Sequence, residues 1–198
     1  MYVNDIIKRM NRTETTADTD MKHKEYLALK QEDCRNCYRC IRSCPIKAIS
    51  FSDRQARILD TECMLCGCCF VSCPQHAKEI RNDVGEARQL VASGDPVVAS
   101  LAPSFVAYIV GASQDAVRTA LEELGFGAVD ETALGAGAVK KRCGELIHEG
   151  NRKVMISSCC HSITLLLRRH FPEALPCLAP VVSPMQAHAM DIKKRLPG

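Results

Sequence analysis

Two stretches of this chain, CRNCYRCIRSCP and CMLCGCCFVSCP, carry cysteines at one repeated spacing. Cys34, Cys37, Cys40 and Cys44, and again Cys63, Cys66, Cys69 and Cys73, stand as C-x2-C-x2-C-x3-C, with Pro45 and Pro74 next. Thiolates are soft donors for zinc, copper or iron-sulfur clusters. Structural zinc needs only four ligands, commonly two separated C-x2-C pairs. A third cysteine at the same interval, and a fourth before proline, exceed that need. Three closely spaced thiolates can instead wrap three corners of a 4Fe-4S cubane, and a remote cysteine fills the last. Disulfides or buried structural thiols are the remaining readings.

The repeat extends beyond the cysteines. Asp33 and Glu62 precede the first thiol of each run, and Ala48 and Ala77 follow three residues after the prolines. A duplicated unit explains this better than chance. Between the runs, 48–51 and 56–59 flank Ser52-Asp53-Arg54, which predicts a short hairpin. The doubled run resembles the bacterial two-cluster ferredoxins, in which the fourth cysteine of each run ligates the other run's cluster. That resemblance implies two 4Fe-4S clusters, one on Cys34, Cys37, Cys40 and Cys73, the other on Cys63, Cys66, Cys69 and Cys44. Cys68 is out of phase, since Arg39 holds the equivalent place in the first run. It reads as a packed or semi-exposed thiol.

Twenty-six basic residues against 23 acidic ones give a formal charge of +3. That excess is too small and too scattered to predict nucleic acid or an anionic membrane as partner. No apolar stretch has the length of a signal peptide core or a membrane span. Thirteen cysteines without an export signal fit the reducing cytoplasm, with most of the thiols holding iron.

Elements must position these groups. Residues 1–25 are polar after a short amphipathic start and read as a flexible leader. A ferredoxin-like domain is expected over 26–94: a strand at 26–29, the hairpin, and helical stretches at 77–80 and 84–92. Gly94-Asp95-Pro96 marks the boundary. Over 95–198 the pattern becomes strand and helix in alternation: strands at 97–103, 126–129 and 153–157, and helices from Ser113 as N-cap to Leu124, over 132–149, and up to His170. Such alternation predicts an α/β domain with a parallel sheet. Its third strand delivers Ser158-Cys159-Cys160-His161 at the carboxyl end, where open α/β sheets bind ligands.

From Leu27 onward the chain resembles the large subunit of iron-only (di-iron) hydrogenases, in the branch with a two-cluster ferredoxin domain fused to the catalytic domain. SLAPSFVAYI, ISSCCHSI and FPEALPCLAPVVSPMQAHAMDIKKRLPG carry the resemblance beside the cysteine runs. In that family the H-cluster is a cubane held by four cysteines, one of which bridges to a di-iron unit. The resemblance implies Cys160 as a cubane ligand and Cys159 as a proton-relay thiol. It also places Ala102, Pro103 and Ser183–Gln186 along the pocket.

Two features depart from the family. His161 stands where proline is usual after the cysteine pair, and the sequence ends where relatives continue to further cluster cysteines. After Cys160 only Cys177 follows, outside any ligand motif of the family, so the expectation is a truncated hydrogenase-like domain unable to complete an H-cluster. Cys143 and Cys177 read as buried thiols. The expected function is iron-sulfur electron transfer to a redox partner protein. The alternatives are an active hydrogenase completed by another chain, or a redox or hydrogen sensor joined to a signalling domain.

Overall fold

The computed structural model describes residues 26–150 and 153–196. The leader expected over 1–25 lies outside the described residues. Among the described residues two units are distinguished: one holds 26–82 together with His161–Pro176, the other 83–160 and 177–196.

In the cysteine-rich unit, β1 (Leu27–Leu29) pairs antiparallel with β4 (Lys78–Ile80), and β2 (Ile49–Ser52) with β3 (Gln55–Ile58). Each cysteine run ends in a short helix, α1 (Arg39–Ser43) and α2 (Cys68–Val71). The expected hairpin is present. Ser52 pairs with Gln55, so Asp53 and Arg54 alone make the turn, with φ of 52° and 60°. Two left-handed residues in a two-residue loop match the right-handed twist of the strands. Asp tolerates that region, whereas Arg54 occupies it at a cost. Leu27, Ala48, Ile49 and Ala56 form the core together with Cys44, Cys63 and Cys69. α7 (His161–His170) belongs to this unit and buries Leu165 and Leu167.

The helix expected over 77–80 is instead β4. The repeat explains the correction: Ala77-Lys78 corresponds to Ala48-Ile49, and both pairs leave a left-handed residue, His76 or Lys47, to enter a strand. Lys30 N donates to Ala77 O, and Arg81 N to Tyr26 O, which carries the β1–β4 pairing past both ends.

In the other unit α3 spans Val84–Ala92, as expected. β5 (Val98–Leu101) pairs with β6 (Ala128–Glu131) in parallel. Between them lie a short α4 (Phe105–Tyr108) and α5 (Gln114–Glu123). Ser113 caps α5 as its sequence predicts, its hydroxyl accepting from Ala116 N at 3.2 Å. Gly125 closes the helix at φ 102°: its N–H donates to Glu122 O and that of Phe126 to Leu121 O, a Schellman pair. α6 (Ala133–His148) and α8 (Pro184–Arg195) pack together, with Ala138, Val139, Leu146, Ala179, Val181 and Ala187 in the core.

Mixed helices and strands with a parallel pair are as expected, but a third parallel strand over 153–157 is not formed. Ile156 alone bridges to Leu178, donating to Cys177 O and accepting from Ala179 N, both at 2.8 Å. The hydroxyls of the two serines that follow take backbone partners. Ser157 Oγ accepts from Cys159 N, and Ser158 Oγ donates to Val181 O.

α8 sits against α6 because Gly135 is a glycine. A methyl there would fall on Pro184 O and on the backbone and Cβ of His188. Gly137, in the same helix, faces open space. The two glycines therefore predict opposite signs. Gly135→Ala should lower stability by on the order of 2 kcal/mol through overpacking. Gly137→Ala should raise it by about 0.5–1 kcal/mol through helix propensity. Urea denaturation of the whole chain measures both. In the hairpin, Arg54→Gly should add about 1 kcal/mol by removing a left-handed Cβ, read in the same way.

Candidate metal centre

The cysteine runs fold into loops that ordinary chain avoids. Asn36, Tyr38 and Lys47 have φ of 55°, 60° and 57°; at the matching places of the second run Leu65, Gly67 and His76 have 56°, 76° and 51°. A tyrosine and a leucine in that region are conformational outliers. In the other unit positive φ falls only on glycine among the described residues. Strain held in this way marks a functional loop. Left-handed residues turn successive N–H groups toward one side and make concavities that receive anions and iron-sulfur centres.

Each concavity gathers thiols from both runs. One pocket is lined by Cys34, Cys37 and Cys40 of the first run with Cys73 of the second, against Tyr38, Phe51 and Lys78. The other is lined by Cys63, Cys66 and Cys69 with Cys44 of the first, against Leu27, Ile49 and Ile58. Cys68 edges this second pocket but is exposed. All thirteen cysteines are free thiols. Among the described residues, no three His, Cys, Asp or Glu side chains gather closely enough for a single metal ion.

Backbone and side chains already address the sulfurs. Ala48 N donates to Cys44 Sγ at 3.2 Å and Leu65 N to Cys63 Sγ at 3.4 Å. The Cys37 thiol donates to Gln75 Oε1 at 3.5 Å. Burial pushes the Cys40 and Cys63 thiols up and takes Cys69 to about 11. As free groups they are protonated at neutral pH, so a metal must displace protons to bind. Tyr38 and Phe51 pack with their rings tilted at 45° and centroids 4.6 Å apart, at the wall of the first pocket. α7 is tied beside the second: Arg169 donates to Cys63 O, and His170 Nε2 lies 2.8 Å from Glu62 O.

The other unit brings its sequence-predicted residues together only in part. The bridge at Ile156 lays the segment ending in Cys159 and Cys160 along 177–181, which leads into α8. Both thiols are exposed. Cys143, on α6, packs at the core edge; burial pushes its thiol up, and the nearby Cys159 adds to the rise. Cys177 is half-buried. Ala102 and Pro103 follow β5 and are exposed. Ser183 and Gln186 form a capping box for α8, each side chain accepting from the other's backbone N–H. That gives them a structural task which the sequence signature S-x-x-Q could have revealed.

Comparison with known proteins decides the family. The family described as iron only hydrogenase large subunit, C-terminal domain, matches residues 95–198, more than half of the chain. The chain belongs to this family. A second family, the 4Fe-4S dicluster domain, matches residues 27–74 of the hydrogenase-family chain. A curated relative, one of the subunits of the ion-translocating oxidoreductase complex of Methanosarcina acetivorans, is 37% identical over 60 residues. The match covers 30% of this chain and 23% of that relative's length. Together these likenesses support iron-sulfur electron transfer as the chemistry of this hydrogenase-family chain. No helix among the described residues is long and apolar enough to cross a membrane.

Sequence reasoning missed Tyr38, Phe51, Gln75 and Lys78 as pocket residues. Lys78 was visible once the runs are aligned, because it falls where the first run has Ile49. α7 could not have been placed beside Glu62 and Cys63 from local pattern, since that contact spans about half the chain.

Proposed function

We propose that residues 26–94 are a two-cluster electron-transfer module and 95–198 a hydrogenase-like domain that it serves. In this reading Cys34, Cys37, Cys40 and Cys73 hold one 4Fe-4S cluster, and Cys44, Cys63, Cys66 and Cys69 hold the other. The observation that carries it is the pair of pockets, each lined by three thiols of one run and the fourth of the other. Free thiols, inward-turned backbone and apolar walls fit that group. When bound, a 4Fe-4S cluster supplies a one-electron redox centre whose potential follows from charge, hydrogen bonds to sulfur and solvent exposure.

The chain's own residues do the rest. The thiols give up their protons and fix each centre. The N–H groups of Ala48 and Leu65 donate to sulfur and favour the more negative state. Ile49, Ile58 and Leu27 on one side, and Tyr38 with Phe51 on the other, supply apolar wall beside the sulfurs. Likeness to a subunit of an oxidoreductase complex supports a protein as redox partner.

Family membership favours a second reading for the hydrogenase-like part. Cys160 would be a thiolate ligand, and Cys159 would carry a proton, in a site that evolves or oxidises hydrogen. That site needs more thiolates than the adjacent pair supplies.

Two outcomes are expected. Protein purified without oxygen should carry about eight irons and eight sulfides per chain; zinc without sulfide would contradict the assignment. Cys44→Ser should damage the centre whose other thiols are Cys63, Cys66 and Cys69, and Cys73→Ser the opposite one. EPR of the reduced variants reads which signal is lost, and loss of the centre on the mutated run itself would refute crossed ligation.

A further inference from the structure

The two runs repeat so closely that each difference between them is a natural substitution. After the proline they read Ile46-Lys47-Ala48-Ile49 and Gln75-His76-Ala77-Lys78. Ala48 and Ala77 are both buried, and the next residue opens a strand in each case. Ile49 lines the pocket with Cys44, Cys63, Cys66 and Cys69. Lys78 lines the pocket with Cys34, Cys37, Cys40 and Cys73. An alkyl group at one site has become an ammonium at the other, with no loss of burial: Ile49 is 6% exposed and Lys78 3%.

Such a lysine is costly. A buried ammonium without compensation is strongly disfavoured, and Lys78 Nζ has no hydrogen-bond partner among the described residues. Its neighbour Glu79 pairs with Lys30 instead. The pocket that it lines offers the missing charge, because four thiolates outweigh the positive charge of an iron-sulfur core.

We propose that Lys78 sets the two centres at different potentials, holding the one on Cys34, Cys37, Cys40 and Cys73 above the one on Cys44, Cys63, Cys66 and Cys69. The inference rests on the two-cluster reading. Reduction takes one electron from a donor such as dithionite, moves no proton and adds one negative charge to the centre. An ammonium beside the pocket attracts the reduced form more than the oxidised one; Ile49 offers no such discrimination. At equilibrium the first electron rests on the Lys78 side, which gives the module a direction.

The test is a mediated dithionite titration, followed by EPR, on the anaerobic full chain with iron and sulfide measured in each sample. The unaltered protein should show two separated one-electron steps. Lys78→Met should lower the upper step so that the reduced-to-oxidised ratio at a fixed potential falls about tenfold, or 59 mV for one electron. Lys78→Arg should keep it, and Ile49→Lys should raise the lower step. Unchanged steps in Lys78→Met with iron and sulfide intact would overturn the inference and leave the two-cluster reading standing. Loss of iron from Lys78→Met but not from Lys78→Arg would assign the lysine to holding the centre instead, and also overturn it. Absence of iron and sulfide from the unaltered protein would remove the two-cluster reading itself.

Discussion

Surrounding a pocket with four thiols requires backbone that an L-chain does not adopt freely. Asn36, Tyr38 and Lys47, with Leu65 and His76 in the second run, take left-handed conformations that each cost on the order of 1 kcal/mol. Three of the buried residues in the small core of this unit are themselves the cysteines Cys44, Cys63 and Cys69. In the proposed two-cluster arrangement a bound group that engages thiols of both runs would tie the two loops together, with Cys44 and Cys73 as the crossing points, and would add its binding free energy to the stability of the fold.

Duplication makes this economical and also allows divergence. The same turn, helix and strand entry recur in each run, yet one pocket is walled by aliphatic side chains and the other by an aromatic pair and a lysine. Equal frames with unequal linings are a direct way to give two like centres unlike potentials. The other unit is held by different means. Gly135 admits α8 against α6, and Ser100 Oγ links Thr132 Oγ1 at 2.8 Å to Nδ1 of the fully buried His188 at 2.7 Å. Asp130 of β6, opposite Ser100, pairs with Arg195 near the end of α8. The carboxyl ends of the parallel strands are thus pinned to α8.

What could be read from the sequence was local. Spacing within a run is fixed by the reach of a few residues, so each run was legible as a list; the exchange of Cys44 and Cys73 came only from the resemblance to two-cluster ferredoxins, and each of the resulting sets lines one pocket. Ser113 and Gly125 announced the ends of α5 because caps act within one turn. The errors arose where competing groups decide. β4 is three residues long, too short for periodicity to tell strand from helix, and only its likeness to the first run gave it away. The strand expected at 153–157 is reduced to the single bridge at Ile156, next to Ser157 and Ser158, whose hydroxyls bond backbone. The placement of α7 beside Cys63 depends on Arg169 and His170 meeting residues far away in sequence, which no local pattern encodes.

Native mass spectrometry of the anaerobically purified chain tests most directly the proposed pair of iron-sulfur centres on eight cysteines drawn crosswise from two runs. The dominant species should be heavier than the bare polypeptide by two Fe4S4 units, less the protons that the ligating thiols lose. A species carrying zinc, or one carrying a single cluster with the second run's thiols freely alkylated, would contradict it.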